Sequence, residues 1–228
     1  MSELLSKIKS RGYWQIVIRP RTFNPNRVAD IAMLFPLLSK FVVHIRGWDF
    51  PHIDSRFPPQ YGVDWVGQEN DWDYHKGIWR FFQSGQFVYF LTMAVDWRVE
   101  SPIWPVDLSK EPMTLLGVGD TIFTFVEIMD FASQLALSEA GDDNMQIDIK
   151  VGNIKGRELY VDTHRRRWPF FTSYRTQMQE YPYSKNIARP DLISGNKAYA
   201  LDAAQQLFKR FGWNAPTEIL QDWYVKRG

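Results

Sequence analysis

The stretch DTIFTFVEIMDFASQLA, Asp120 to Ala136, decides how the rest of the chain is read. Ile122, Phe125, Val126, Met129, Ala132, Leu135 and Ala136 recur every three or four residues, which gives a long helix one apolar face. Asp120, after Gly119, is placed as the N-cap, and Glu127, Asp130 and Glu139 fall on the opposite, solvated face. Segments of strand character flank it. Upstream, FVYFLTMAV (Phe87 to Val95) follows a turn at Gly85; its length also admits a buried helix. Downstream, Met145 to Val151 alternates apolar and polar residues. A helix set between strands of this kind predicts an α+β fold.

Further out, YWQIVIR (Tyr13 to Arg19) alternates and stops at Pro20, which reads as a strand. Asn26 to Ser39 has helical spacing at Val28, Ile31, Ala32, Phe35 and Leu38, with Pro36 expected to kink it or end it early. FVVHIR (Phe41 to Arg46) reads as a second strand, giving a β-α-β opening. Residues 49–62, punctuated by Pro51, Pro58 and Pro59, read as an ordered loop, and Gly62 to Gln68 is strand-like. A proline-punctuated connection runs from Ser101 to Pro112. Met145 to Val151 and Glu158 to Asp162 are expected to form a hairpin through GNIKGR. His164 to Arg189 has no clear period, Ser194 to Phe211 is a second amphipathic helix, and a short last helix starts at Pro216. The expectation is one α+β domain spanning 1–228. Its mixed or mostly antiparallel sheet is covered by about three helices, near 26–39, 120–140 and 195–211.

The absence of cysteine excludes disulfides, thiolate metal sites and cysteine nucleophiles. No apolar stretch of signal-peptide length opens the sequence, and the run at 87–95 is about half of what a membrane span needs, so a cytoplasmic protein without membrane contact is expected. The net charge of +1 hides segregation: residues 1–56 sum to +5, residues 57–149 to −11 and residues 150–228 to +7. Either these segments pack together and cancel, or the protein carries an aromatic-acidic surface and a separate basic one. Tryptophans 48, 65, 72, 79, 97 and 104 crowd the middle third, as core or as exposed anchors.

Several constellations could carry chemistry. In NDWDYH, Asp71, Asp73 and His75 would share one face of an extended chain and could hold a divalent metal, completed by Asp49, His52 and Asp54 if two loops meet. This is the one cofactor the sequence suggests. Asp148-Ile149-Lys150 resembles the end of a nuclease motif, yet no second carboxylate stands on a preceding strand; an alternating edge strand is the simpler reading. The G-x-S-x-G, G-x-x-x-x-G-K-[ST] and G-x-G-x-x-G motifs are absent, and no catalytic residue is assigned. A basic-aromatic set, Arg157, Arg165, Arg166, Arg167, Trp168, Arg175, Lys185 and Arg189, is suited to an acidic protein partner or to nucleic acid.

Two short motifs carry a resemblance: IRGWDFPH (Ile45 to His52) and WRFFQSGQF (Trp79 to Phe87), joined by EIMDFASQL (Glu127 to Leu135). They resemble an uncharacterised bacterial family with RGW-aromatic-Pro-His and WRF-aromatic-QSGQF signatures, loosely associated with proteins carrying AlbA-like domains of the Schlafen type. The resemblance implies a component of a mobile or defence-related system and marks Arg46, Trp48, His52, Arg80, Gln83, Ser84 and Gln86 as site candidates. The expected function is a non-catalytic binding or adaptor module engaging a protein partner through aromatic and Arg-rich surfaces. A nucleic-acid-binding component using 157–189 and a metal-dependent hydrolase or nuclease are the alternatives.

Overall fold

Strand β1 (Tyr13–Pro20) lies in the interior of a seven-stranded antiparallel sheet, and its alternation organises the molecule. The computed structural model describes residues 2–98, 111–161 and 170–225. Trp14, Ile16 and Ile18 point to one face, where β5 (Phe87–Thr92) sets Leu91, Tyr89 and Phe87 opposite them and β7 (Asn144–Gly152) sets Val151, Ile149 and Ile147. Beyond β5 come β4 (His75–Phe82), β3 (Trp65–Trp72) and the two-residue β2 (Gln60–Tyr61); beyond β7 comes the edge strand β9 (Glu180–Ala188). A short parallel pair, β6 (Leu115–Gly117) and β8 (Glu158–Tyr160), stands apart.

Five helices accompany the strands among the described residues: α1 (Glu3–Lys9), α2 (Leu34–Ser39), α3 (Val118–Ala136), α4 (Arg189–Lys209) and α5 (Thr217–Val225). Helix α3 lies between the inward sheet face and α4, so it is buried all round; only Asp120, Asp130 and Gln134 escape. Phe125 meets Trp14 edge-on at 5.1 Å, and Phe131 meets Phe87 at 4.5 Å. Each such side chain contributes about 1.5–3 kcal/mol by leaving water. The other sheet face is polar. There α1 covers a small patch with Ile8 against Tyr13 and Ile78, while Asp148 accepts hydrogen bonds from Ser184 Oγ (2.6 Å) and Gln146 Nε2 (2.8 Å). The architecture is α+β, as the sequence predicts, with more helices than the three expected.

Several expectations are corrected. Phe41 to Arg46 is not a sheet strand: Val43 pairs only with Phe50, because the chain doubles back on itself before it can reach the sheet. The β-α-β opening therefore does not form. The helix expected from Asn26 begins only with a 3-10 turn at Ile31–Met33, capped by Asp30 on the Ala32 N–H, and continues as α2. Pro36 falls in the first turn of α2, where no N–H donor is needed, so it neither kinks nor stops the helix. The expected hairpin through GNIKGR is absent because β7 is already paired on both edges, and β8 turns to β6 instead. Strand β7 is thus interior rather than an edge. Strand β9 lies in the stretch without a clear period: Tyr181, Tyr183 and Ile187 face inward, and Pro182 sits on an edge strand that tolerates a missing donor.

The segregated charges largely meet one another. Lys7 pairs with Asp71, Arg19 with Asp148, Arg27 with Asp142 and Arg46 with Glu127, each joining the first segment to the acidic middle. Arg157 with Asp96 and Arg189 with Asp143 join the last segment to it. No helix among the described residues is long and apolar enough to cross a membrane.

Candidate functional site

A cavity of about 690 Å³ opens at the end of the sheet where the β3–β4 turn, the loop after α2 and the start of α3 converge. Its position follows from local structure. The β3–β4 hairpin reverses through Asp73, whose φ of +49° is one that aspartate tolerates, and this sets Trp72 beside His75. Gln68 on β3 clamps the proline-rich loop by donating Nε2 to the carbonyls of Asp54 (3.1 Å) and Phe57 (2.8 Å). Trp79 Nε1 donates to the His52 carbonyl at 2.9 Å. These bonds bring the RGW segment against the hairpin, where the Trp48 ring stacks with His52 (3.7 Å), His75 (4.0 Å) and Trp72 (5.6 Å).

The floor is an ion pair between half-buried Arg46 and buried Glu127. Arg46 donates from Nε to Glu127 Oε1 at 2.7 Å and from a terminal nitrogen to Oε2, and also donates to Thr124 Oγ1 (3.0 Å) and the Asp120 carbonyl (3.2 Å). Burial works against the guanidinium charge, but Glu127 and then Asp120 hold its pKa above the ordinary value. Glu127 is 2% exposed, so its expected place on a solvated face is corrected: α3 has no such face at that position. Asp120 is not the N-cap either. That position is Gly117, and Asp120 stands in the first turn, lining the cavity with Thr121, Thr124 and Glu127. The signal was present, since Asp120, Thr124 and Glu127 form an i, i+4, i+7 polar stripe on an otherwise apolar helix.

His75 is held neutral: burial first, then the positive surroundings of His52, Arg46 and Arg98, push its pKa down to about 3. The His52 pKa is lowered mainly by burial, against the pull of Asp54 and Asp49. The linkage has a definite sign. Below 6.5 the unfolded chain binds a proton at residue 75 that the folded chain refuses until about pH 3, so stability falls as pH drops through that window. Urea denaturation at a series of pH values should show a flatter acid-side slope for His75→Gln than for the native protein; equal slopes would refute the assignment.

The metal constellation does not assemble as expected. The turn between residues 72 and 75 places Asp71 on the opposite sheet face, where Lys7 Nζ (2.7 Å) and Lys76 Nζ (2.9 Å) hold its carboxylate. Burial alone would raise the Asp71 pKa; these two lysines keep it low. Asp49 meets His44, and Asp54 is held by Arg56, whose hydrogen bonds bring its pKa to about 2. The two loops do meet, but through the rings of Trp48, His52 and His75. Among the described residues no three His, Asp or Glu side chains gather as metal ligands.

The family-motif candidates divide. Arg46, Trp48 and His52 belong to the cavity region, whereas Arg80, Gln83, Ser84 and Gln86 shape the far end of the β4–β5 hairpin. Arg80 lies over Trp65 at 4.4 Å and donates to Glu69 (2.8 Å); Gln83 Nε2 donates to the Val28 and Ala29 carbonyls at 2.9 and 3.1 Å. The Ser84 hydroxyl faces the Gln86 N–H at 3.5 Å, and Gly85 turns the chain with φ +81°. The basic-aromatic set divides too. Arg157 is 0% exposed and paired with Asp96, so it cannot reach a partner, which corrects its place in that set. Arg175 pairs with Glu158, Lys185 with Asp202 and Arg189 with Asp143; Arg165, Arg166, Arg167 and Trp168 lie outside the described residues. Of the tryptophans, Trp79 and Trp97 are buried, whereas Trp72 is 43% exposed and Trp104 lies outside the described residues. Compared with protein-family models, with curated proteins and with solved structures, the chain finds no match.

Proposed function

We propose that the chain is a non-catalytic binding module whose recognition element is the aromatic cavity at the β3–β4 end of the sheet. The observation that carries this reading is the cavity itself: about 690 Å³, walled by Trp14, Trp48, Trp72, Tyr74 and Tyr89, with charged and polar side chains converging between the rings. Ligand sites share this volume and this combination of aromatic wall and convergent polar groups. The floor supports binding rather than proton transfer, because the Glu127 charge is met by Arg46 and His75 is stacked and neutral. Trp72 provides an exposed ring at the mouth.

The test is a panel of aromatic, cationic, anionic and sugar compounds, read by thermal melting and by tryptophan fluorescence. At least one class should raise the melting temperature of the native protein, and Trp72→Ala should weaken that binding about tenfold or more, the range of a stacked aromatic contact. Binding that is indifferent to Trp72→Ala, or the absence of binding by every class, would overturn the reading.

A further inference from the structure

The charges and rings that line the cavity narrow its occupant. Among the described residues, four carboxylates (Asp49, Asp73, Asp120 and Glu127) face three cations (Arg46, Lys76 and Arg98). Arg46 is met by Glu127, and Lys76 by Asp71, which stands outside the cavity and is paired with Lys7 as well. The lining has one more carboxylate than it has cations, and at the mouth Asp49 and Asp120 keep 39% and 45% of their side chains exposed. A concave site of one sign concentrates ligands of the other.

The walls favour the same sign. Indole and phenol rings attract cations over their faces, and the protein's own arginines already occupy that geometry: Arg98 lies 5.9 Å from the Tyr74 ring and Arg56 lies 5.9 Å from Trp72. Among the described residues, one buried polar side chain of the lining is left over. Thr121 is 1% exposed, and its Oγ1 has no hydrogen-bond partner, which is costly unless a ligand or water supplies one.

We infer that the cavity binds a small organic cation, an alkylated ammonium whose body carries a hydroxyl or carbonyl group that meets Thr121 Oγ1. The inference rests on the cavity being the recognition site. The ammonium head sits at Trp72 and Tyr74 with Asp49 and Asp120 nearby, and the polar tail reaches the start of α3. A free small molecule fits better than one inserted side chain, because the cavity is of a size that encloses a whole small ligand.

Matched pairs test this. Choline, acetylcholine and benzyltrimethylammonium are titrated beside neutral analogues in which carbon replaces nitrogen, with tryptophan fluorescence and calorimetry as readouts. At least one cation should bind about tenfold more tightly than its neutral twin, a ratio set by the cation–ring attraction. Trp72→Ala should abolish that preference, and Arg98→Gln should widen the ratio of cation to neutral-twin affinity several-fold, because it removes a like charge. Both positions are exposed, and melting curves confirm that the variants fold. A peptide bearing trimethyl-lysine forms a separate arm; tighter binding by the peptide than by any free cation would overturn the free-ligand assignment. Neutral twins binding as well as cations would overturn the inference. If sugars or anions bind in a Trp72-dependent way and cations do not, the inference fails while the cavity remains the binding site; if nothing binds, both fail.

Discussion

Replacing Asp96 with Ala is expected to cost about 3–5 kcal/mol, the loss seen when one partner of a fully buried ion pair is removed. Arg157 and Asp96 have 0% and 1% of their side chains exposed. Arg157 donates to Asp96 Oδ1 (2.8 Å) and Oδ2 (2.5 Å), to the Asn153 carbonyl (2.8 Å) and to the Leu115 carbonyl (2.7 Å). Asp96 also accepts from the backbone N–H of Gly12 (2.8 Å) and of Met113 (2.9 Å). One carboxylate thus ties together the approach to β1, the turn after β5, the approach to β6 and the β7–β8 connection. Without it the guanidinium is stranded where water does not reach, and two backbone donors lose their acceptor. A small domain has only about 5–15 kcal/mol in total, so the variant should sit near the edge of unfolding. Urea denaturation followed by tryptophan fluorescence measures this, and a loss under about 1 kcal/mol would show that the pair is not buried as described. The double change Asp96→Ala with Arg157→Met should cost much less than the two single changes added together, since neither charge is then left alone.

Glu127→Gln is the second large effect, expected at about 2–3 kcal/mol. The amide keeps the shape of the side chain but leaves Arg46 without its counter-charge. The loss is smaller than at Asp96 because the Arg46 side chain is 21% exposed and water can take up part of the charge. This variant also carries a local signature. Arg46 stands two residues before Trp48, so loosening it should disturb the stack of Trp48 with His52 and His75 and reduce the near-ultraviolet circular dichroism of the indoles. Stability within about 0.5 kcal/mol of the native protein, with an unchanged aromatic spectrum, would place Glu127 among ordinary surface residues and dismiss its role as the cavity floor.

How much of this was legible in the sequence depended on the range of the interactions involved. The period of α3 and the alternation of β1 and β7 are local properties, and each gives an element close to its expected bounds. Phe41 to Arg46 has the same strand-like composition, but a strand needs a partner, and Val43 found Phe50 seven residues on instead of the sheet. Pro182 concealed β9 because its effect depends on whether the strand is central or at an edge, which only the completed sheet decides. Glu127 looked solvated because charge usually is; its burial depends on an arginine 81 residues away in the chain. The RGW segment was marked as a candidate site only by the resemblance, and Trp72, Thr121 and Arg98 come beside it through the hairpin turn, the start of α3 and the chain after β5.

The interior position of β1 has a consequence for synthesis. Tyr13 pairs with Thr92 on one side and with Gly152 on the other, so β1 is synthesised long before either of the strands that complete it. Until β5 is made it holds Trp14, Ile16 and Ile18 with both edges open, and until β7 is made one edge stays open, the condition that invites pairing with another nascent chain. Sequence-distant pairing of this kind also folds slowly. For this protein the vulnerable moment is therefore birth rather than maturity, and a chain cut short before β7 would carry an aromatic strand with one flank permanently unsealed.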